Sequence, residues 1–391
     1  MKIAEISPYD FAHPGGVQRH ISSLSNELIL RGHDVSVIGP CSKDNPLVNL
    51  ENVNFVPLGR SIPFPTAGSI ARISISLWHE WRLKSFLESE NFDIVHIHEP
   101  LMPLTSLTAA RFSRSTTIGT FHAYNEGRSK GYILGKRLRL LERFANRLDG
   151  RIAVSEPAKN FHNKYFPYDY KVIPNGLDVD RFSNPSKRPT VMKKENINLL
   201  FVGRVNESRK GLRYALGAYS RLKWQYPNLR LIVVGSGVPD KESYRVMGER
   251  SLDDVIFLGP MSESELPSYY QHADIFLAPN TGKESFGFIT IESMASSTPV
   301  VATSIPGFKS VIKDGYNGIL VDPKNEKSLA VSIKKLIDNP SLRTSLELNG
   351  RLSVEQYSWK KVTNSIIRYF NKIKNHTGYS HKKSKKRAKI L

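Results

Sequence analysis

The chain has 391 residues, with 56 Lys+Arg against 36 Asp+Glu, and its formal net charge is +20. The length suits two domains, each with its own core, and an apolar content of 40% excludes a disordered protein. The single cysteine, Cys41, excludes an internal disulfide and any multi-cysteine metal site, so a reducing, cytoplasmic setting is expected. No run approaches the roughly 18 apolar residues that span a bilayer, and the first residues lack a signal-peptide pattern, so membrane contact should be peripheral.

Short runs rich in β-branched residues alternate with helical patterns along the chain. The strands predicted in the first half are Lys2–Ser7, Val35–Ile38, Asp93–Ile97, Thr116–Phe121 and Arg151–Val154, with helices at Val17–Arg31 and Lys136–Leu148. The pattern restarts with strands Asn198–Val202, Arg230–Val234, Val255–Leu258, Ile275–Ala278 and Val300–Ala302, and with helices Leu212–Gln225, Glu263–Gln271 and Ile289–Ala295. This alternation predicts an α/β protein with two Rossmann-like, doubly wound parallel sheets facing a central cleft.

A domain boundary is predicted near Pro174–Lys194, a stretch that begins in the turn-forming run Ile173-Pro174-Asn175-Gly176. The following stretch, Ser183–Lys194, is rich in Pro, Ser and Lys and lacks apolar periodicity. We therefore expect domains at 1–174 and 175–360. Residues 361–391 should form a terminal helix that returns towards the N-terminal domain and ends at about Lys374, followed by a disordered basic tail.

The positive charge is concentrated at the end of the chain. Residues 1–170 carry a net +4, residues 171–360 a net +6, and residues 361–391 a net +10 with no acidic residue. A polybasic tail of this kind binds nucleic acid or anionic membrane equally well on charge alone, and it can also be merely solubilising.

Two glycines follow the first predicted strand, in the run Pro14-Gly15-Gly16-Val17 at the start of a predicted helix. Glycine lets the backbone approach a ligand closely, and a helix amino terminus favours an anion such as a diphosphate. An ordinary β-α turn is the simpler alternative. A dinucleotide-binding loop is disfavoured, because Gly235-Ser236-Gly237 lacks the third glycine of that motif.

Cations follow the first strand of the second half, in Gly203-Arg204 and in Arg209-Lys210-Gly211. Fixed cations at the carboxyl edge of a sheet suit a diphosphate leaving group, whose charge grows as its bond breaks. A solvated basic surface is the alternative.

Residues 284–292, which read ESFGFITIE, contain two glutamates that we expect to face the cleft. Glu284 should lie in a loop, Glu292 in the first turns of a helix, and Gly287 should permit close backbone approach between them. Carboxylates suit vicinal hydroxyls because each accepts hydrogen bonds from two sugar OH groups. Taken alone, these features would favour the simpler interpretation of two surface glutamates.

The motifs together resemble glycosyltransferase family 4, whose members are retaining enzymes with the GT-B fold. Glu284 and Glu292 match the family's E-x7-E pattern. Motifs in family order are Pro14-Gly15-Gly16-Val17, His96–Pro100, Thr120-Phe121-His122, Ile173–Gly176, Gly203-Arg204 and Arg209-Lys210-Gly211. Within the family, residues 7–18 and 96–100 look most like those of the phosphatidylinositol mannosyltransferases, although Ala12-His13 stands where those enzymes tend to carry an acidic residue.

The resemblance implies a role for each matching residue. Gly15 and Gly16 would contact the donor diphosphate or the sugar, Arg204 and Lys210 would neutralise the diphosphate, and Glu284 would bind sugar hydroxyls. Phe286 and Gly287 would present backbone donors, Glu292 would bind the ribose, His122 would lie at the reacting sugar, and Tyr9 and Gln18 would line the acceptor side. Of these, His122, Arg204, Lys210 and Glu284 are the predicted catalytic residues.

The implied reaction is transfer of a hexose, with mannose from GDP-mannose as the favoured donor, to a phosphatidylinositol-type lipid at the inner face of the cell membrane. The alternatives are a UDP-sugar-dependent transferase acting on another acceptor, and a non-catalytic basic protein that binds anions or lipids. No cofactor is expected to be required, although Mg²⁺ could accompany the donor diphosphate, and no nucleic-acid partner is expected.

Two possible metal motifs are not favoured. His96 and His98 lie two apart on a predicted strand but lack an obvious third ligand, so hydrogen bonding or packing is expected of them. Asp178-Val179-Asp180 lies in the predicted linker and is set aside. Two basic segments with aromatic residues, Ile70–Phe86 and Arg128–Leu148, suit a membrane interface, although an apolar stripe at helical spacing is more often core.

Overall fold

The computed structural model describes residues 1–13, 15–50, 52–66, 69–74, 76–125 and 135–387. The chain divides into two compact units. The first unit comprises Met1–Gly176 together with the chain from Trp359 onwards, and the second comprises Leu177–Ser358.

The first unit is built on a parallel sheet with the strand order β3-β2-β1-β6-β7-β8-β9. Its strands are β1 (Lys2–Ile6), β2 (Asp34–Gly39), β3 (Asn54–Pro57), β6 (Ile94–His98), β7 (Thr116–Phe121), β8 (Gly150–Ala153) and β9 (Lys171–Val172). A separate antiparallel hairpin joins β4 (Ile62–Thr66) to β5 (Ser69–Ile73). The order reverses between β1 and β6, and that point in a doubly wound sheet is where ligands bind.

The helices of the first unit cover its sheet. They are α1 (Gly16–Leu30), α2 (Leu77–Ser89), α3 (Thr105–Phe112), α4 (Gly135–Ala145), α5 (Glu156–Asn163) and the C-terminal α14 (Trp359–Arg387). Helix α14 buries Val362, Ile366 and Phe370 in one cluster with Ile3 of β1 and Leu24 of α1. The C-terminal segment therefore completes the core of the unit that contains the amino terminus.

The second unit has a parallel sheet with the strand order β12-β11-β10-β13-β14-β15. Its strands are β10 (Ile197–Val202), β11 (Leu229–Val234), β12 (Ile256–Gly259), β13 (Ile275–Ala278), β14 (Val300–Thr303) and β15 (Ile319–Val321). Its helices are α6 (Val179–Ser183), α7 (Leu212–Leu222), α8 (Lys241–Glu249), α9 (Leu266–Gln271), α10 (Phe288–Ala295), α11 (Pro306–Lys309), α12 (Glu326–Asp338) and α13 (Pro340–Val354). The order reverses between β10 and β13.

The predicted doubly wound, parallel architecture is confirmed in both units. The predicted elements omit several short strands and helices, among them the β4–β5 hairpin, and they end the C-terminal helix too early. The β4–β5 hairpin is missing from the prediction, because Pro63 and Pro65 interrupt the pattern that indicates a strand. The C-terminal helix does not end at about Lys374 but continues to Arg387, since polar and basic residues such as Lys and Arg are good helix formers even without an apolar face.

The structure describes only parts of the two segments that were expected at a membrane interface. In α2, Leu83 and Leu87 are buried in the core, whereas Trp78 and Trp81 are each 63% exposed. In the second segment, residues 126–134 lie outside the described residues, so the aromatic and apolar side chains of Tyr132–Leu134 are not placed. The side chains of the basic tail from residue 378 onwards also lie outside them. Within the described residues, no helix is long and apolar enough to cross a bilayer.

The packing of α14 can be tested at Phe370, which is fully buried and whose ring meets the His96 ring edge to face at a centroid distance of 5.1 Å. We expect Phe370→Ala to lower the free energy of unfolding by about 3–5 kcal/mol, because truncating a buried phenylalanine leaves a cavity. Urea and thermal denaturation measure it, with exposed Arg368→Ala on the same helix as the control. Equal stability of the two variants would contradict this packing.

Candidate functional site

The second unit gathers charged side chains where its strand order reverses. The chain after β10 forms a short 3-10 turn at Ser208–Lys210, and Gly211, at φ +78°, begins α7. The chain after β13 leads through Asn280 to Glu284. Parallel strands bring both loops to the same sheet edge, so residues that are distant in sequence meet there.

Glu284 is the centre of this cluster. Its Oε1 accepts hydrogen bonds from Arg209 Nη1 at 2.8 Å, Lys210 Nζ at 2.5 Å and Asn280 Nδ2 at 2.8 Å. Within the described residues, Oε2 accepts no hydrogen bond. Burial raises the pKa of the Glu284 carboxyl, but the charges of Lys210 and Arg209 outweigh it and hold that pKa below the ordinary 4.5. The carboxylate is therefore ionised, with one oxygen committed to the protein and one available.

Arg204 takes a different partner from Lys210. Its half-exposed guanidinium pairs with Glu207 Oε1 at 2.7 Å, and Arg209 Nη2 approaches Glu207 Oε2 at 2.7 Å. Arg209 thus joins Glu207 to Glu284. Arg209 was expected only as one of the cations suited to a diphosphate, and Glu207 was not predicted, because nothing in the local pattern shows which carboxylate a guanidinium will reach.

The loop that carries Glu284 is packed against the protein interior by three residues that follow it, Phe286, Gly287 and Glu292. Gly287 has φ +93°, and a Cβ there would lie 2.7 Å from the Phe308 ring, so both conformation and space require glycine. The Phe286 ring is buried against Phe288 and Tyr357. Glu292 is only 5% exposed and accepts a hydrogen bond from the Tyr270 hydroxyl at 2.9 Å. The two glutamates therefore differ in environment: Glu292 is buried in α10, and its role towards a ribose stays a prediction.

In the first unit, the loop after β1 is tied together by Gln18. Its Nε2 donates to the Asp10 carbonyl at 3.0 Å, and a Cβ on Gly15 would lie 2.2 Å from its Oε1. Gly15 is extended and precedes α1, which begins at Gly16. Pro14 lies outside the described residues. Glycine at 15 thus leaves room for an internal hydrogen bond, and the roles of both glycines towards a diphosphate stay predictions.

Two further residues of this loop are Tyr9 and Asp10. Tyr9 is partly exposed, and its backbone N–H donates to Ser7 Oγ at 3.0 Å. Asp10 is fully buried, and its Oδ1 accepts from the backbone N–H of Ala12 at 2.7 Å and of Ser42 at 3.1 Å. Asp10, which joins the first loop to the chain after β2, was not among the predicted site residues.

A buried polar cluster lies beside the reversal point of the first sheet. Glu5 Oε2 lies 2.8 Å from His96 Nδ1 and 2.7 Å from His98 Nε2, and His98 Nδ1 lies 3.0 Å from His122 Nε2. The expectation of a hydrogen-bonding role for His96 and His98 agrees with these contacts. That expectation assumed that no third metal ligand lies near the two histidines, which is wrong. Glu5 lies close enough to His96 and His98, and His20 to His98 and His122, for each group of three to hold a metal ion.

The backbone at His122 is held by Glu99. Glu99 Oε1 accepts from the His122 N–H at 2.7 Å and from the Ala123 N–H at 2.6 Å. Burial raises the pKa of Glu99 to about 7 although these donors lower it. Burial also holds the pKa of His98 and of His122 well below the ordinary 6.5, so both imidazoles are neutral at neutral pH.

Comparison with solved structures identifies the fold. Sucrose-phosphate synthase from Thermosynechococcus elongatus aligns with a TM-score of 0.75 at 20% identity, over 95% of this chain and 98% of that one. Anabaena HepE in complex with UDP aligns with a TM-score of 0.76 at 19% identity, over 95% and 100% of the two chains. Two doubly wound α/β units with this topology define the GT-B fold.

The sequence comparisons identify the family. Residues 14–181 match the family described as Glycosyltransferase Family 4, and residues 183–353 match Glycosyl transferases group 1. The phosphatidyl-myo-inositol mannosyltransferase of Mycobacterium tuberculosis is 33% identical over 377 residues, which cover 95% of this chain and 97% of that protein. The chain belongs to glycosyltransferase family 4.

The loop geometry can be tested at Gly287. We expect Gly287→Ala to lower the free energy of unfolding by about 1–3 kcal/mol, because a side chain at positive φ is strained and this Cβ meets the Phe308 ring. Gly248→Ala is the matched control: its Cβ would meet nothing within 4 Å in α8, so about 0.5–1 kcal/mol of added stability is expected. Denaturant titration compares them, and a neutral Gly287→Ala would contradict the described conformation.

Proposed function

We propose that this glycosyltransferase transfers mannose from GDP-mannose, with retention, to a phosphatidylinositol-type lipid at the membrane surface. The observation that carries the proposal is the Glu284 carboxylate, whose Oε1 is occupied by three donors while Oε2 remains available. Such an oxygen suits a hexose hydroxyl. The name of the relatives, phosphatidyl-myo-inositol mannosyltransferase, supports the choice of sugar and lipid.

The fixed cations beside Glu284 suit the other half of the donor. In the proposed reaction, Lys210 and Arg204 neutralise the diphosphate, and Arg209 keeps Glu284 ionised. Phe286 and Gly287, just before α10, present backbone N–H groups to the donor, and Glu292 serves the ribose. The proposal needs no resident cofactor, because these side chains supply positive charge where the leaving group develops negative charge. Mg²⁺ that accompanies the diphosphate is compatible with it.

The first unit supplies the remaining proposed roles. Gly15 and Gly16 contact the diphosphate or sugar, Tyr9 and Gln18 serve the acceptor, and His122 lies at the reacting sugar. The acceptor oxygen forms the new bond to the sugar C1 as the bond from C1 to the diphosphate breaks on the same face. The leaving phosphate oxygen takes the acceptor proton, so retention needs no protein nucleophile, and positioning carries the catalysis.

The exposed tryptophans of α2 support a membrane-bound acceptor. Trp78 and Trp81 are exposed, and the Arg82 guanidinium lies 5.4 Å from the Trp78 ring centroid. Aromatic rings beside cations suit the headgroup region of an anionic bilayer. Together with the basic residues of 378–391, they favour a peripheral position at the inner face of the cell membrane.

Replacement of Glu284 tests the proposed site. Glu284→Gln keeps the volume and one carbonyl acceptor but removes the charge, so we expect transfer to fall about a hundredfold or more. The measurement is mannosyl-lipid formation from GDP-mannose and phosphatidylinositol vesicles, with Glu249→Gln, an exposed glutamate of α8, as the control. Vesicle binding should persist in both variants, which distinguishes a transferase from a lipid-binding protein without catalysis. Undiminished turnover by Glu284→Gln would remove Glu284 from the site.

The choice of donor and acceptor needs a separate assay. We expect GDP-mannose with phosphatidylinositol to give the highest kcat/KM when GDP-mannose and UDP-glucose are each crossed with phosphatidylinositol, phosphatidylglycerol and a soluble hexose. Preference for UDP-glucose would favour the second candidate, a UDP-sugar-dependent transferase.

The membrane contact is tested by vesicle sedimentation. We expect the double variant Trp78→Ala/Trp81→Ala to weaken binding to anionic vesicles, because it removes both rings that would insert into the headgroup region. Deletion of residues 378–391 should also weaken binding to anionic vesicles, and the loss should be larger at low salt, since each cation near the surface contributes about 1 kcal/mol. Trp224→Ala removes another exposed tryptophan, in the second unit, and should bind like the unaltered protein. Activity on a detergent-dispersed acceptor should survive, and unchanged vesicle binding by the α2 variant would exclude α2 from the contact.

A further inference from the structure

The buried cluster of the first unit forms a continuous hydrogen-bonded chain from a carboxylate to His122. Glu5 Oε2 lies 2.7 Å from His98 Nε2, and His98 Nδ1 lies 3.0 Å from His122 Nε2. Glu5 and His98 are fully buried, and His122 is 8% exposed. Each residue comes from a different strand or strand end, namely β1, β6 and the residue after β7.

The positions of the protons along this chain follow from which groups can donate a hydrogen bond and which can only accept one. His98 Nε2 makes a hydrogen bond with Glu5 Oε2, and because an ionised carboxylate can only accept, the proton of this bond belongs to His98. His96 Nδ1 lies 2.8 Å from the same Glu5 oxygen without hydrogen-bond geometry, and His96 Nε2 is hydrogen-bonded with Thr120 Oγ1 at 2.6 Å. Burial raises the pKa of the Glu5 carboxyl above the ordinary 4.5, and the nearby His96 offsets that rise only in part. The proton arrangement that follows holds for the ionised carboxylate, which accepts from His98 Nε2–H.

A neutral imidazole carries one proton, which determines the rest of the chain. With its proton on Nε2 facing Glu5, His98 offers a bare Nδ1 that accepts from His122 Nε2–H. His122 then has a bare Nδ1, and within the described residues its ring makes no hydrogen bond through that atom. The neighbouring His20 ring meets the His122 ring edge to face at 5.0 Å, and burial lowers the pKa of His20 to about 3, so it adds no charge.

We propose that Glu5, acting through His98, is a positioning residue that holds His122 in the tautomer whose Nδ1 can only accept a hydrogen bond, so that its ligand is a hydroxyl. This inference rests on the proposed function for its ligand, a hydroxyl of the transferred sugar or of the acceptor. It adds that His122 does not donate a proton to the leaving group. Binding of a metal ion by this cluster is disfavoured, because both ring nitrogens of His98 already make hydrogen bonds, one with Glu5 and one with His122.

Replacing Glu5 should reverse the chain. A glutamine at position 5 carries an amide N–H donor as well as a carbonyl acceptor. When the N–H faces His98 Nε2, the His98 proton moves to Nδ1 and the His122 proton also moves to Nδ1. His122 would then donate where it should accept. A wrong tautomer is known to reduce catalysis strongly in histidine-dependent sites, so we expect kcat of Glu5→Gln to fall about tenfold or more with a small change in the donor KM.

The direct test is the ¹⁵N NMR spectrum of the full chain labelled at histidine, in which bare and protonated ring nitrogens have well-separated shifts. The His122 signals are assigned by their loss in His122→Gln. We expect Nδ1 to be bare and Nε2 protonated in the unaltered protein, and the reverse in Glu5→Gln. Glu80→Gln, at another buried carboxylate of the first unit that bonds Thr105, is the control and should leave the His122 signals unchanged.

The outcomes separate this inference from the proposed function. A protonated Nδ1 in the unaltered protein would overturn the inference by itself, even if Glu5→Gln failed to fold. An unchanged His122 tautomer together with a reduced kcat in folded Glu5→Gln would also overturn it, because transfer would then depend on Glu5 in another way. The reversed tautomer with undiminished transfer would support the chain but remove His122 from the reaction, and loss of transfer in Glu284→Gln is unaffected by either result.

Discussion

Parallel strand pairing is the constraint on which both units depend. When all strands of a sheet run the same way, their carboxyl ends and the following loops fall at one edge, and the reversal of strand order opens a place for a ligand there. In the second unit, the reversal between β10 and β13 lets Lys210 meet Glu284 across 74 positions of sequence. In the first unit, the reversal between β1 and β6 sets Glu5 beside His96.

Charge at these edges is retained by pairing. The partly buried Glu284 carboxylate is stabilised by two cations and an amide, and removal of one partner leaves a desolvated charge. In the first unit, burial keeps His98 and His122 neutral, and the two rings lie within hydrogen-bond distance of each other. The second unit is thus equipped to hold an anionic ligand beside fixed charge, and the first to orient a neutral ring.

Much of the fold and part of the site could be predicted because they are encoded locally. Alternating β and helical patterns are visible over short stretches of sequence, and the glycine at position 287 by itself indicates a turn. The pairing of Arg209 with both Glu207 and Glu284 could not be predicted, since a flexible side chain chooses among carboxylates by position in space. The hairpin β4–β5 was missed because its prolines obscure the strand pattern.

By itself, the sequence determined the α/β class, the order of the strands along the chain and the resemblance to family 4, because these depend on residue type and spacing. Only the tertiary structure decided that one oxygen of Glu284 is occupied and that Glu292 is buried under Tyr270. It also decided that Glu5, His98 and His122 form one chain. Such contacts depend on the register between strands and on side-chain direction, and residues 93 positions apart, as Glu5 and His98 are, carry no local sign of their meeting.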